Sequence, residues 1–331
     1  MRITMAHGSG GQETEQLIRD VFAAAFDNRF QREMEDAAAV PGAQRLAVTT
    51  DSFVVRPLFF PGGDIGKLSV CGTVNDLLMR GAVPQYLTCG FIIEEGTESA
   101  ILESVTASMA ETAAEAGVLI VAGDTKVVER AHEDGGIIIN TAGVGFLRED
   151  TEISASQIVP GDKVILSGSL GEHHAAILSA RMGMQNAILS DVAQLTEPVS
   201  ILLGAGIHVH AMRDVTRGGL ATILHEFAAR SGLTFVLSEK EIPVSDMVRD
   251  FCGILGLDPL MMGNEGKFVA AIAGEDAEEA LHLLKGTACG KDASIIGEAR
   301  PREDVPVIME TPIGGERVIS PLVGEGLPRI C

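Results

Sequence analysis

Leu119-Ile120-Val121-Ala122-Gly123-Asp124-Thr125-Lys126 is an apolar run that stops at a Gly-Asp pair. Leu119 to Ala122 reads as a buried strand ending at Gly123-Asp124, because a short apolar run closed by glycine is the pattern of a core strand. Just before it, Ser99 to Ala116 carries Ile101, Leu102, Val105 and Met109 on one helical face. Just after it, Ile137 to Phe146 reads as another strand. Further out, Leu17, Ile18, Val21, Phe22 and Ala25 repeat at helical spacing. Leu46 to Thr50 reads as a strand running into Asp51. Leu68 to Met79 reads as a helix with Gly81 as its C-cap, and Tyr86 to Ile93 as a strand. Strands therefore alternate with single helices.

A charged stretch, Leu147-Arg148-Glu149-Asp150, and a turn signal, Pro160-Gly161-Asp162, interrupt this order. The alternation then restarts. Lys163 to Leu166 is a strand leading into Ser167-Gly168-Ser169-Leu170-Gly171. Leu220, Ile223, Leu224, Phe227 and Ala228 define a helix face. Leu233 to Leu237, Lys267 to Ile272 and Ser294 to Ile296 read as strands, and Asp276 to Leu284 as a helix. The expectation is an α/β chain of two halves, 1–150 and 151–305, followed by an arm, 306–331. Short strands with single helices fit α+β layers as well as a doubly wound sheet.

The chain has 331 residues, 46% of them hydrophobic, enough to build a sizeable core. With no Trp and one Tyr, aliphatic residues must fill that core. The net charge of −21 argues against nucleic acid and against an anionic membrane surface. No apolar run reaches membrane-spanning length, and the first residues have no signal-peptide pattern. The five cysteines, Cys71, Cys89, Cys252, Cys289 and Cys331, form no C-x-x-C pair. That argues against structural zinc and fits a reducing cytoplasm. The first four lie among apolar or small residues and read as buried hydrophobes.

Several aspartates sit beside glycines at expected turns: Asp51, Asp76 after Asn75, Asp124 and Asp214, with Asp36 in Glu35-Asp36-Ala37. Aspartate is a good turn residue in its own right. Several of them at corresponding strand ends also suit Mg²⁺ bound to a nucleotide, because a hard cation takes carboxylate oxygens and leaves positions for phosphate. His7-Gly8-Ser9-Gly10-Gly11 precedes the first helix and offers backbone N–H groups for phosphate. No G-x-x-x-x-G-K-[ST] and no strand-linked G-x-G-x-x-G is present. Lys126 shares a strand face with Asp124, and Glu265 sits in the turn Gly263-Asn264-Glu265-Gly266. Each is a solvated charge or turn residue on one reading, an acid–base group beside a phosphate on the other.

The segment Thr311 to Glu325 is rich in Gly and Pro and reads as irregular. It leads to Leu327-Pro328-Arg329-Ile330-Cys331. About fifteen extended residues reach on the order of 50 Å, so a thiol on such an arm can visit an internal site and an external partner.

Taken together, His7–Gly11, Thr49-Thr50-Asp51-Ser52, Gly72–Leu77, Ala122–Val127, Met212–Leu220, Asn264-Glu265-Gly266 and Pro328-Arg329-Ile330-Cys331 resemble the HypE family of hydrogenase-maturation carbamoyl dehydratases. The other motifs are shared with wider ATP-using relatives, and the last is specific to this family. The resemblance implies a two-domain fold similar to aminoimidazole-ribonucleotide synthetase, dimerisation through the N-terminal domains, and ATP near that interface. It implies that a carbamoyltransferase, HypF, loads a carbamoyl group onto Cys331. ATP-dependent dehydration of the thiocarboxamide to a thiocyanate follows, and the cyanide passes to an iron held by HypC and HypD. The resemblance places proton removal on Lys126 and Glu265. It places Gly10, Gly11, Asp36, Asp51, Asn75, Asp76, Gly123, Asp124 and Asp214 around the nucleotide, with Asp36, Asp51, Asp76 and Asp124 as metal ligands. The family pattern after the second-domain strand is close to Ser-Gly-x-x-Gly-Asp-His-Gly. Here Glu172-His173-His174 follows Gly171, and His174 replaces a glycine, which bears on the local loop conformation. Alternative readings are a selenophosphate synthetase or thiamine-phosphate kinase, which need no terminal thiol, and a metallochaperone using Cys331 as a thiolate ligand.

Overall fold

The structure is a computed structural model and describes residues 2–9, 11–33, 37–132, 135–149 and 152–321. The described residues divide into two compact units, one within 1–77 and 82–149, the other within 78–81 and 152–321.

The first unit begins with α1 (Gln12–Leu17), which continues as π-helical turns over Ile18–Ala23. β1 (Leu46–Phe53), the ribbon β2 (Phe59–Phe60) and β3 (Gly63–Asp64), α2 (Ile65–Met79), β4 (Val83–Glu94), α3 (Ser99–Ala116), β5 (Leu119–Val128) and β6 (Ile137–Phe146) follow. The main sheet has the order β1-β6-β4-β5, antiparallel except for β4 beside β5. α2 is apolar on nearly every side, as a helix inside a core must be. It lies directly on β6: a Cβ on Gly143 would come within 2.8 Å of the Thr73 methyl. α3 buries Leu102, Val105 and Met109, and Gly117 closes it in the left-handed region (φ 72°). Gly81 closes the helix before it in the same way (φ 71°).

Two strands outrun their expected ends. β5 does not stop at Gly123-Asp124 but continues to Val128, and β1 passes through Asp51 to Phe53. Both aspartates are strand residues, because pairing with β4 and β6 carries the backbone past the polar side chains.

The second unit contains β7 (Lys163–Leu166), α4 (Glu172–Arg181), α5 (Thr196–Gly204), β8 (Val209–Asp214), α6 (Gly219–Ser231), β9 (Thr234–Ser238), α7 (Asp246–Leu255), β10 (Phe268–Ile272), α8 (Ala277–Lys285), β11 (Ser294–Arg300), β12 (Val307–Glu310) and β13 (Glu316–Val318). Its sheet runs β13-β12-β9-β11-β7-β10-β8 and is mixed. Of the two architectures open to the sequence, layered α+β is the one present. Every residue of β10 is buried. On one face Leu220, Leu224 and Phe227 of α6 pack against Leu166, Val269 and Phe235. A satellite core joins α4 to α7 through Ala175, Ala176, Val248 and Phe251.

Asp214 is the buried last residue of β8, not a turn residue. The expected irregular segment also starts later, since β12 and β13 form a hairpin on the edge of the sheet. Cys71, Cys89 and Cys252 are buried as expected, while Cys289 is half-buried.

Candidate functional site

In the first unit, strand register sets which acidic groups meet. Asp51 of β1 stands in a cross-sheet row with Thr141, Cys89 and Gly123. The next row is Ser52, Asn140, Gly90 and Asp124. Neighbours in a row share a face and adjacent rows point to opposite faces, so Asp51 and Asp124 project from opposite sides of the sheet. Asp51 faces α2, where a Cβ on Gly72 would lie 3.9 Å from its Oδ2. One turn further along α2, Asp76 Oδ2 accepts the Thr49 hydroxyl at 2.6 Å. Thr49 and Asp51 alternate on β1, so Asp51 and Asp76 face the same interlayer space, with Asn75 buried behind them.

Asp124 and Lys126 share the other face, with Nζ 2.8 Å from Oδ1. The Lys126 hydrogen bond is the main cause that holds the Asp124 carboxyl below the usual carboxylate range. The glycine-rich turn leans on the same strand. A Cβ on Gly8 would come 2.7 Å from the backbone nitrogen of Val127, so only glycine permits this approach. Gly11 is the N-cap of α1. Between that helical segment and β5 lies a cavity of about 140 Å³ lined by Thr14, Phe22, Phe91, Ile120, Gly123 and Asp124 among others. No sequence pattern pointed to it.

In the second unit, Glu265 sits in a turn held from several directions. Its backbone N–H donates to Asp191 Oδ1 at 3.1 Å, and its carbonyl accepts from Ala193 N–H at 3.3 Å. Asn264 is fully buried; its Oδ1 accepts the N–H of Gly171 at 2.8 Å, and its amide donates to Val215 O and Met262 O. A Cβ on Gly266 would lie 2.0 Å from Asp191 O, so the turn needs glycine there. Lys267 Nζ is 3.5 Å from Asp191 Oδ2, an ion pair with the carboxylate wholly buried. Asp214 pairs with Phe268 across the ladder, beside this turn. Burial pushes Glu172 up to about 7 against the lowering effect of Lys267. Burial pulls the adjacent His173, whose Nδ1 is 2.7 Å from Ser190 Oγ, down to about 4. The His174 substitution leaves a regular helix start: His174 is buried in the first turn of α4 and its N–H bonds Gly263 O at 3.2 Å.

Lys126 belongs to the first unit and Glu265 to the second. Gly10, Asp36 and Cys331 lie outside the described residues. Sequence reasoning missed Asp191, and it named Lys267 only as the start of a strand and Glu172 only as part of the motif after Gly171.

Residues 34–147 match the family described as AIR synthase related protein, N-terminal domain, and residues 159–310 its C-terminal domain. Carbamoyl dehydratase HypE of Cupriavidus necator is 48% identical over 334 residues, spanning 100% of this chain and 95% of the relative. The chain belongs to the HypE family of carbamoyl dehydratases. A crystal structure of the hydrogenase maturation protein HypE in complex with ATP superposes with a TM-score of 0.94 at 45% identity, covering 99% of each chain. HypE in a HypE–HypF complex superposes at 0.81 with 47% identity, over 92% of this chain and 99% of that one. The architecture is thus the two-domain AIR synthase-like fold of HypE. Among the described residues, no helix is long and apolar enough to cross a membrane.

Proposed function

We propose that this chain is an ATP-dependent carbamoyl dehydratase of NiFe-hydrogenase maturation, which converts a thiocarboxamide on Cys331 to a thiocyanate and so supplies a cyanide ligand. The observation that carries this reading is the end-to-end match to carbamoyl dehydratase HypE, which covers the whole chain. In this reading HypF loads Cys331, HypC and HypD receive the cyanide, and the reaction takes place in the cytoplasm. A relative solved with HypF and another solved with ATP support the partner and the nucleotide.

The residues fit a Mg-nucleotide by donor chemistry. Asp51 and Asp76 place carboxylate oxygens in one space beside Thr49, and hard oxygen donors are what Mg²⁺ takes. ATP supplies activation of the amide oxygen, which alone is a poor leaving group. The chain supplies the rest. The oxygen leaves as phosphate and the carbamoyl nitrogen gives up both of its N–H protons as the nitrile forms, so the reaction needs bases to take them. Glu265, on a turn immobilised by Asp191 and Ala193, is one. Lys126 is the other, once its ammonium has given up the proton that pairs it with Asp124. Cys331 is the covalent carrier of the carbamoyl group in this reading. Gly11, Gly123 and Asn75 line the nucleotide, with Gly10, Asp36 and Asp214 assigned there by family pattern.

The homodimer of this reading is supported by an apolar face of the first sheet. Val48, Ala142, Val144, Ile92 and Ile138 lie on the face opposite α2 and are half-buried or exposed, Val48 being 70% exposed. An apolar sheet face of this kind is a protein-interaction surface, and a second copy of the same face is its occupant in this reading.

Intact-mass analysis tests the whole scheme. Incubation with carbamoyl phosphate, HypF and ATP should first add a carbamoyl group to the peptide containing Cys331, then remove the mass of one water. Cys331→Ala should show neither change, and a fully active Cys331→Ala would overturn the proposal.

A further inference from the structure

On the face of the first sheet turned away from α2, β1 presents Ser52, β6 Asn140, β4 Gly90 and β5 Asp124 at one level. The row is interrupted at Gly90, which has no side chain. A Cβ placed there would meet no neighbour closer than the backbone oxygen of Asn140, at 3.9 Å. Gly90 is not among the glycines of positive φ, and the register shifts of β4 fall earlier, at Pro84/Tyr86 and Leu87/Thr88. Neither backbone conformation nor crowding therefore requires glycine here. A glycine inside a strand weakens it, and with a bulge excluded its remaining use is to admit another group close to the backbone. Asn140 and Asp124 stand two strand spacings apart, about 10 Å, with Lys126 bonded to Asp124 at the rim of the opening.

The Asn140 amide borders this opening and has a fixed direction. Its Nδ2 donates to Asp51 O at 2.8 Å, to Ser52 Oγ at 3.1 Å and to Thr50 Oγ1 at 3.3 Å, all on β1. A backbone carbonyl can only accept, so the nitrogen is the atom that faces β1. The amide forks, which puts Oδ1 on the side away from β1, the side of Gly90. Asn140 thus offers the opening a hydrogen-bond acceptor held in place through its other atom. The same face carries Val48, Val144, Ile92 and Ile138, so a polar band crosses an otherwise apolar surface. Apolar docking alone has no use for such a band, since polar groups buried without partners cost free energy. A small ligand that donates hydrogen bonds gives the band its partner.

We propose that the gap over Gly90 seats the carbamoyl group of the loaded chain, with Asn140 Oδ1 accepting one of its N–H bonds. This rests on the dehydratase reading and adds to it a substrate-binding residue and a seat. A carbamoyl group is small and planar and carries its N–H donors on one nitrogen, which suits a narrow opening with an acceptor on one side. Asn140 takes no proton, because an amide oxygen is a poor base. It holds the nitrogen while Lys126, across the gap and in its neutral form, takes a proton. In the dimer reading a second copy covers this face and closes the gap to water.

The test follows loading and water loss of the full chain over time by intact mass, with HypF, carbamoyl phosphate and ATP. Gly90→Ala puts a methyl group into the gap with no neighbour inside 3.9 Å, so the fold accepts it. It should slow water loss from the loaded chain, and Gly90→Val should slow it by at least about 100-fold, the cost of displacing a reacting group by about 1 Å. Asn140→Ala should slow it by about tenfold, the scale of one hydrogen bond. In all three variants the extent of loading, Mg-ATP binding by calorimetry and the sedimentation coefficient should match the parent. Far-UV circular dichroism checks folding; if Asn140→Ala is unfolded, the Gly90 variants, which keep Asn140, decide the matter. Water loss at the parental rate in folded Gly90→Val would overturn the proposal. So would slowed water loss that coincides with weakened ATP binding, which would make the gap part of the nucleotide site, or with a changed oligomer, which would make Gly90 an interface contact. A parent chain that is never carbamoylated would strike down the dehydratase reading itself, and the seat with it.

Discussion

The Asp191 carboxylate accepts the backbone N–H of Glu265 at 3.1 Å, across 74 residues of chain. Its other oxygen lies 3.5 Å from Lys267 Nζ, inside ion-pair range. The carboxylate is fully buried and the ammonium nearly so, which makes each the necessary counter-charge of the other. Asp191→Ala should therefore destabilise the fold by about 3 kcal/mol, the cost of leaving a buried charge uncompensated. It should also lower turnover, because Glu265 loses its backbone anchor. Asp191→Asn keeps an acceptor for Glu265 and should retain more activity than Asp191→Ala while still losing stability. Urea unfolding and ATP-dependent turnover on both variants check this; equal turnover in the two would show that Asp191 does not position Glu265.

Glu172 and His173 are neighbours with opposed pH behaviour. Burial raises Glu172 from its ordinary 4.5 to about 7, so the group weakens the fold as pH climbs through that window. Burial lowers His173 from 6.5 to about 4, so it weakens the fold as pH falls through its own window. Between 4.5 and 6.5 the two slopes oppose each other. Glu172→Gln removes one of them. The variant should be more stable than the parent above pH 7, where the parent holds a buried carboxylate in its charged form. It should also lose stability more steeply as pH falls from 6.5 towards 4. Unfolding midpoints measured across the pH range would show it; parallel curves for parent and variant would contradict the assignment.

Most helices and central strands were legible because their apolar residues repeat at a single period, as in α3 and α6. β8 was not, because His210 and Arg213 break its apolar run and its place in the sheet comes from pairing with β10. Asp191 carried no signal, since its role is a contact between segments far apart in sequence. The acidic set was visible as residues but not as an arrangement. Strand register, including a bulge at Leu87/Thr88, sends Asp124 to the face opposite Asp51. A pattern of aspartates after apolar runs does not encode that choice.

Asp124 and Lys126 form an ion pair with side chains 68% and 62% exposed. Exposed pairs contribute about 0–1 kcal/mol, because water and salt screen them. Lys126→Ala and Asp124→Asn should thus unfold within about 0.5 kcal/mol of the parent. Turnover is expected to fall by at least about 100-fold in Lys126→Ala, the scale on which a positioned acid–base group acts. A stable, inactive variant separates function from structure here. A stable variant with parental turnover would remove Lys126 from the mechanism.

Val48 lies in the middle of β1, paired with Val144 of β6, on the sheet face turned away from α2. It is 70% exposed in the isolated chain. An exposed valine in a row of apolar neighbours gains nothing within one chain, but burying it against a second copy removes apolar surface from water at about 25 cal/mol per Å². Val48→Arg leaves the chain's own core untouched, so its monomer stability should change by no more than about 0.5 kcal/mol. Two guanidinium groups brought to the centre of a closed apolar interface would each lose hydration without a partner. If the parent forms the proposed dimer, the variant should sediment as a monomer at the same concentration, with unchanged far-UV circular dichroism. A Val48→Arg dimer of parental strength would place the dimer contact elsewhere on the molecule.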